Sequence, residues 1–559
     1  MITVQNQTVT VITQTLCAVF ENGTLVSLKN KAGREFLSPA AADSSALDMV
    51  YRHGEVVPIR NTRSGSIRAV SLAPDCAEIR FDAWDGSGVI TITEDPETGD
   101  LCVEPEVTSA RYGILAARFT LCGIVPELRL AAPFYQGIDL PLEDELLNHR
   151  KWIWPHNWEA GLAILHDGGT GGFWVHTEDS SYRCKSLTVN GEQRGLSFDS
   201  EAWGPVERSL SAGGLVWRIN VFDGGWEVPA ARYRDWLWEA YRLNREESRR
   251  IPWTKEVRMA VSWCPTDAKL LDALAARVDP KTVLLHLPNW RKANYDQCYP
   301  DYTPSDRFTE FMRYAEGMGF RCMPHANSID MDPSMPEYRY VQDFKFRDVE
   351  RGVFLGWGYE AGKVLGVPSA NPALNEGRSR NVMVKVHPGL ALWRSILAEN
   401  IDAALAKLDY ATDCIFIDVT LCTYNLDNCL VDNTTDIEGM KRLIAHVEGI
   451  RGGLAVGGEG LNEITMQNLT FAQAHLFDSH QGTRPGLERC GGCALNDFLF
   501  GRLCRTMGYS NLGGATEDQV LRERIHEEHH AIPTITVSRA EQIEHPNAEI
   551  ERILRLAAE

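Results

Sequence analysis

From about Glu256 onward the sequence alternates short apolar runs with longer stretches that place apolar residues at helical spacing. EVRMAVSWC and KTVLLHLPNW read as strands. The amphipathic DRFTEFMRYAEGMG leads into FRCMPHAN, GLALWRSILAENIDAALAKL into CIFIDVT, and GMKRLIAHVEGIRG into GLAVGGEG. This alternation commits a chain to parallel strands, because neighbouring parallel strands need a long crossover and a helix is its usual form. AQAHLFD is a further strand candidate, and IPTITVS is the last before the terminal helix HPNAEIERILRLAAE. With room for the remaining strand, these elements predict a (β/α)8 TIM barrel over 256–559. One stretch, 330–386, is rich in Gly, Pro, Asn and aromatics and breaks the rhythm after the third strand. It reads as a long insertion, and long insertions in compact domains are usually functional.

The first 225 residues have a different period. ITVQNQTVTVIT, AEIRFDAWDGSGVITITED and GLVWRINVFD alternate polar and apolar residues between Gly, Asp and Asn turns, which predicts an antiparallel β-sandwich. Between the two patterns, over 226–255, AARYRDWLWEAYRLN sets Tyr233, Trp236, Leu237 and Tyr241 at helical spacing and reads as a linking helix. The chain is therefore expected to be multidomain, with a sandwich at 1–225, a linking helix and then the barrel.

The balance of 76 acidic against 56 basic residues gives a formal charge of -20. That charge repels phosphate backbones, so nucleic acid is not an expected partner. The N-terminus carries no basic segment followed by an apolar run. No stretch reaches the roughly 18 consecutive apolar residues that a spanning helix needs, so no membrane partner is expected and the expected location is the cytoplasm. The 14 cysteines lack framework spacing and are expected as thiols. Cys490 and Cys493 have the spacing of half a zinc site, but no second pair matches them. No cofactor and no metal are expected, and the sequence leaves room for a homo-oligomer.

In a barrel of this kind, reactive side chains gather where the C-terminal strand ends meet at one mouth. Asp418 ends the buried run Cys414-Ile-Phe-Ile, where a carboxylate is costly unless it is paired or used. Glu459 follows the next strand, 41 residues later, between glycines that allow close backbone approach. Two carboxylates on adjacent strand ends suit glycoside hydrolysis, one as nucleophile or base and the other as proton donor to the leaving oxygen. A gap of about 5 to 5.5 Å between them implies retention of configuration, and one beyond about 6.5 Å implies inversion. A purely structural role leaves Asp418 as a cap and Glu459 paired with an arginine. Glu463 is a rival acid, read as a surface or first-turn residue of a helix beginning near Leu461.

Candidate substrate ligands at other strand ends are His286, Trp290, Asp296, His325, Asn327, Asp330 and His480, with Asp478 beside the last. Aromatic faces next to carboxylates suit sugars, whose C–H faces stack while their hydroxyls hydrogen-bond. Trp290 and Tyr295 read equally well as loop packing. Two other readings stay open: a metal-dependent hydrolase using His286, His325 and Asp418, and a carbohydrate-binding barrel without catalysis.

The runs HLPNWRKANYDQCYPDYTPSDRFTEFMRYAEGMGFRCMPHAN, CIFIDVT and VGGEGLNE resemble barrel glycosidase-like proteins related to the endo-α-N-acetylgalactosaminidases and the bifidobacterial α-N-acetylgalactosaminidases. The resemblance spans about Arg258 to Glu463, and the preceding region is similar to the β-domain those enzymes carry. It implies that Asp418 is a nucleophile, that Glu459 is the acid/base and that Asp330 lies near the sugar hydroxyls. The implied enzyme is a retaining, exo-acting α-glycosidase working by double displacement. The further β-domains of the large secreted relatives have no counterpart here, which favours a small glycoside as substrate. A preference for N-acetylgalactosamine is not carried over, because no residue here is identified as reading an acetamido group.

Overall fold

The computed structural model describes residues 1–38, 46–58, 66–82, 85–345, 356–360, 363–366, 380–409, 413–421, 430–474, 492–510 and 512–559. The chain forms two compact units, one of Met1–Ala240 and one of Tyr241–Asp348, Val353–Thr423 and Leu430–Glu559.

The first unit is built from antiparallel sheets. Ile2–Gln5, Thr8–Ile12, Leu16–Glu21 and Thr24–Asn30 pair in sequence order as one small sheet. A ten-stranded and a six-stranded sheet make up the larger part. These two face each other through aromatic side chains. Trp217, from the ten-stranded sheet, lies 5.0 Å from Phe198 of the six-stranded sheet, and its indole donates to Ser200 Oγ at 3.1 Å. Trp158 stacks on Trp217 at 6.2 Å. Alternating side chains send one face of each sheet into this core and the other outward, the geometry of a sandwich.

The second unit carries eight parallel strands: β1 (Met259–Val261), β2 (Val283–Leu287), β3 (Arg321–Asn327), β4 (Cys414–Asp418), β5 (Ala455–Glu459), β6 (Phe471–Ala474), β7 (Arg505–Gly508) and β8 (Thr534–Ile535). They neighbour one another in chain order, β8 pairs back onto β1, and the parallel bridge Met507↔Ile532 brings β7 beside the start of β8. The ring of strands is thereby all but closed. Helices α1 (Ala268–Ala275), α2 (Asp306–Met318), α3 (Ala391–Lys407), α4 (Asp436–Glu448), α5 (Leu495–Phe500), α6 (Glu517–Glu528) and α7 (Ala548–Ala558) alternate with the strands. Their ends are written in the sequence. Ser305 caps α2 and Thr435 caps α4 by accepting backbone N–H groups, and Gly319, at φ 100°, ends α2 in the left-handed conformation that glycine adopts without strain. No described helix is long and apolar enough to cross a membrane.

Between β5 and β6 the connection is a short 3-10 turn, Thr465–Gln467, where a full helix is usual. Arg250 makes this possible. Its buried guanidinium donates to the carbonyls of Met466, Gln467, Asn468, Leu469 and Leu503 at 3.0 to 3.3 Å, satisfying acceptors that a helix would have paired internally. The insertion after β3 contains a small antiparallel sheet of Asp330–Met331, Gly356–Glu360, Lys363–Gly366 and Arg380–Lys385, with the last strand pairing to the first and the second.

Two expectations about strands change. The sixth strand begins at Phe471, one residue before the AQAHLFD run, and is described over Phe471–Ala474, the rest of the run lying outside the described residues. The seventh, Arg505–Gly508, did not stand out in the sequence, because RTMG is only four residues long and not β-branched apart from Thr506.

The interior of the barrel determines what reaches its mouth. Ala260, Leu284, Met323, Cys414, Phe416, Ala455, Phe471 and Met507 pack into one interior cluster. Strand side chains alternate faces, so residues two or four positions further toward the C-terminal ends point the same way. Those residues are Ser262, His286, His325, Asn327, Asp418, Glu459 and Gln473.

Candidate active site

Asp418 and Glu459 each stand one residue beyond Ile417↔Gly458, the last register pair of β4 and β5. Asn327 pairs with Asp418 on one side, and Gln473 pairs with Glu459 on the other. Four polar side chains thus form a row across β3, β4, β5 and β6. Apolar strands carry them there, and only the end of each strand turns polar.

The backbone around Asp418 is tightly held. Ser328 donates to its carbonyl from both the amide, at 3.0 Å, and the hydroxyl, at 2.6 Å. The next residue, Val419, has φ 64°, a left-handed conformation that is rare and costly for a β-branched residue. In this conformation the Val419 N–H donates to Glu459 Oε2 at 3.0 Å. Thr420 completes the link: its hydroxyl donates to the Glu459 carbonyl at 2.7 Å and accepts the Glu459 N–H at 2.8 Å. The two carboxylate-bearing strand ends are therefore tied together by three hydrogen bonds.

The Asp418 side chain is 15% exposed. Its Oδ2 is approached by the Tyr295 hydroxyl at 3.4 Å and by His325 Nε2 at 3.5 Å. Burial, reinforced by the charges of Asp418 and Asp296, holds the Tyr295 phenol well above its ordinary range, so it stays protonated and can donate. His325 Nδ1 lies 3.0 Å from His286 Nε2. Burial pushes His286 well below the ordinary histidine range. His325 adds to this shift and Asp418 opposes it, and the imidazole stays neutral. Trp263, at φ 56°, packs its ring edge-on to His286 at 5.4 Å, Tyr295 at 5.4 Å and Tyr509 at 5.7 Å. The result is an aromatic wall beside a carboxylate.

Asn327 donates to Asp330 Oδ2 at 3.1 Å, and Lys385 Nζ meets Asp330 Oδ1 at 2.8 Å. The small insertion sheet thus supplies the cation that balances Asp330, itself 1% exposed. Asp296 is buried and accepts the Tyr299 hydroxyl at 3.2 Å. Trp290 does not line the mouth. Its ring stacks on Tyr302 and packs against Phe308 of α2, and its indole donates to the His325 carbonyl at 2.6 Å, supporting that strand end from behind. Glu463 is also not where the sequence suggested. It is 1% exposed, because Asn462 caps the N–H groups of Ile464 and Thr465 and folds the segment inward ahead of the 3-10 turn. His480, Asp478 and Cys490 lie outside the described residues.

Ser262, Trp263, Gln473 and Lys385 were not singled out from the sequence. The strand-end rule applied to AVSWC would have raised the first two. Gln473 was hidden by the displaced sixth strand, and Lys385 by the irregular insertion.

The glycines before Glu459 are set by packing. A Cβ on Gly457 would come within 2.5 Å of Met323 Sδ and 3.1 Å of a Phe416 ring carbon. Gly457→Val should therefore lower unfolding stability by about 2 kcal/mol, the usual scale for overpacking a core. Urea denaturation would measure it.

As a metal site, the His286 and His325 pair is poorly suited, since one nitrogen of each ring is spent on the other. Among the described residues, Asp100, His176 and Glu178 bring three ligand atoms together. Arg218 and Arg232 already sit on Asp100, with Arg218 also on Glu178; against the cost of burial, Arg232, with His176 and Asn220, holds the Asp100 carboxyl down at about 2. This arrangement is a compensated charge network of the first unit.

Residues 215–436 match a family described as a domain of unknown function, DUF6259. No curated protein matches the sequence. Among solved structures, the chain is similar to the ligand-free α-N-acetylgalactosaminidase NagBb from Bifidobacterium bifidum, with a TM-score of 0.68 and 12% identity over 100% of this chain and 92% of that one. The same enzyme in complex with GalNAc gives a TM-score of 0.67 at 12% identity over the same shares of both chains. The GH36 α-galactosidase AgaB from Geobacillus stearothermophilus gives 0.49 at 10% identity, over 100% of this chain and 86% of that one. The resemblance to the bifidobacterial enzymes read from the motifs is thus met at the level of the fold, over the antiparallel region as well as the barrel.

Proposed function

We propose that this chain is a retaining glycoside hydrolase, an exo-acting α-glycosidase that cleaves a small glycoside by double displacement. The observation that carries the proposal is the placing of Asp418 and Glu459 on adjacent strand ends, one register step past the last paired residues, with Val419 and Thr420, which follow Asp418, hydrogen-bonded to Glu459. Adjacent strands lie about 4.8 Å apart, which favours the short carboxylate separation of a retaining enzyme over the longer one that admits a water. The whole-chain fold similarity to an enzyme named as an α-N-acetylgalactosaminidase supports the α-glycoside class.

In the first step Asp418 attacks the anomeric carbon as the bond to the leaving oxygen breaks, and that oxygen takes the proton of the Glu459 carboxyl group. In the second, Glu459, now a carboxylate, takes a proton from water as the water oxygen displaces Asp418 from the same carbon. Trp263 and Tyr295 offer the sugar an aromatic face, and the charge-balanced Asp330 offers acceptors for its hydroxyls. A panel of nitrophenyl α- and β-glycosides tests this reading, with NMR of the first-formed sugar. Hydrolysis of an α-glycoside with the α-anomer released first is the expected result. Cleavage of β-glycosides alone, or an inverted product, contradicts it.

A further inference from the structure

The hydrogen bonds behind Asp418 run in one direction only. At the far end the Tyr509 carbonyl can only accept, and the Ser262 hydroxyl donates to it. With its hydrogen spent there, Ser262 Oγ must accept from Gln473, 3.1 Å away, so the amide group facing it is the NH2. The same Gln473 nitrogen lies 3.3 Å from His286 Nδ1, and the Trp263 backbone N–H points at that Nδ1 from 3.2 Å. With two donors aimed at it, Nδ1 must hold a lone pair. The hydrogen of His286 then sits on Nε2, which faces His325 Nδ1 at 3.0 Å and donates to it. By the same logic His325 Nδ1 carries no hydrogen, and its N–H is at Nε2, facing Asp418 Oδ2. That Nε2 is buried and makes no hydrogen bond among the described residues, and Asp418 Oδ2 is the acceptor it faces.

We infer that Gln473, His286 and His325 form a one-way donor chain that fixes His325 as a neutral Nε2–H donor to Asp418 Oδ2 and leaves Oδ1 as the attacking atom. The identity of the attacking atom rests on the reading of Asp418 as nucleophile; the direction of the chain does not. Tyr295 approaches the same Oδ2, so two neutral donors converge on one oxygen. Neutral donors orient the carboxylate without the charge neutralisation that an arginine or lysine would bring. The 3.5 Å approach is not yet a hydrogen bond; catalytic contacts are often this loose before substrate binds, and the proposed chain requires this one to shorten in the complex. His286 and His325 are in this scheme positioning residues, where the sequence had suggested substrate ligands.

The test is NMR of the full chain labelled with 15N-histidine, at pH 7. Long-range proton–nitrogen correlations distinguish the tautomers, and the two residues are assigned among the 15 histidines by the signals lost in His286→Gln and His325→Gln. Both rings should be neutral with hydrogen on Nε2. A hydrogen on Nδ1 of either, or an imidazolium, overturns the chain. Kinetics add a second reading: His325→Leu should lower kcat by about 100-fold, the scale of a misplaced reacting group, with KM changed far less. His325→Gln, whose amide can present an N–H in the same place, should recover most of that loss. Equal losses in the two variants overturn the positioning role. If the parent protein hydrolyses no glycoside, the proposed function fails, but the tautomers still decide the direction of the chain.

Discussion

Replacing Asp418 by asparagine is expected to lower kcat on an aryl α-glycoside by at least about 10⁴-fold, the scale of deleting a nucleophile, with an unchanged circular dichroism spectrum. The asparagine amide fits the same space and keeps the backbone contacts to Ser328, which do not involve the side chain. The donors at His325 and Tyr295 turn its carbonyl oxygen toward the Oδ2 position. Its NH2 then occupies the place from which Oδ1 attacks, and an amide nitrogen is not a competent nucleophile. Turnover within a few-fold of the parent protein would remove Asp418 from the chemistry.

Glu459→Gln is expected to depend on the leaving group. Glutamine still accepts the Val419 N–H, so the link between the strand ends survives. It has no proton to give at neutral pH. Alkyl α-glycosides, whose leaving oxygen needs that proton, should slow by about 10³-fold, within the usual range for general acid catalysis. Nitrophenyl glycosides, which leave readily as anions, should slow much less in the glycosylation step. Initial rates on a series of leaving groups measure the difference. A loss of the same size across the series contradicts the acid role, and would direct attention to other carboxylates such as the buried Glu463.

The periodic parts of this fold were legible in the sequence. Runs such as Cys414-Ile-Phe-Ile and Val283-Leu-Leu-His-Leu are apolar on both faces, the pattern that parallel strands under a helical layer require. Their C-terminal ends follow directly, and with them Asp418, Glu459, His286, His325 and Asn327. Short strands were not legible. Four residues of RTMG hold too little pattern to signal a strand, and β8 shows as only Thr534–Ile535 within a longer run. Their pairing is decided by ring closure, which is a long-range property. Gln473 is hidden because the apolar run AQAHLFD continues past it and points to Asp478 as the strand end, and Trp263 because the three-residue β1 gives no sharp end in EVRMAVSWC. The orientation of Trp290 was open to two readings, since an aromatic in a βα loop can face either the mouth or the helix layer. Its contact with Phe308 of α2 decides for the helix layer. The donor chain from Ser262 to Asp418 joins the ends of five strands and lies beyond any local reading.

The most direct measurement is covalent capture of the glycosyl-enzyme. The protein is incubated with a 5-fluoro-α-glycosyl fluoride of the sugar it hydrolyses, digested with protease and sequenced by mass spectrometry. The expected result is a single sugar adduct on Asp418, absent from the Asp418→Asn variant. An adduct on a different residue, or steady turnover of the reagent with inverted product and no adduct, would contradict Asp418 as the nucleophile.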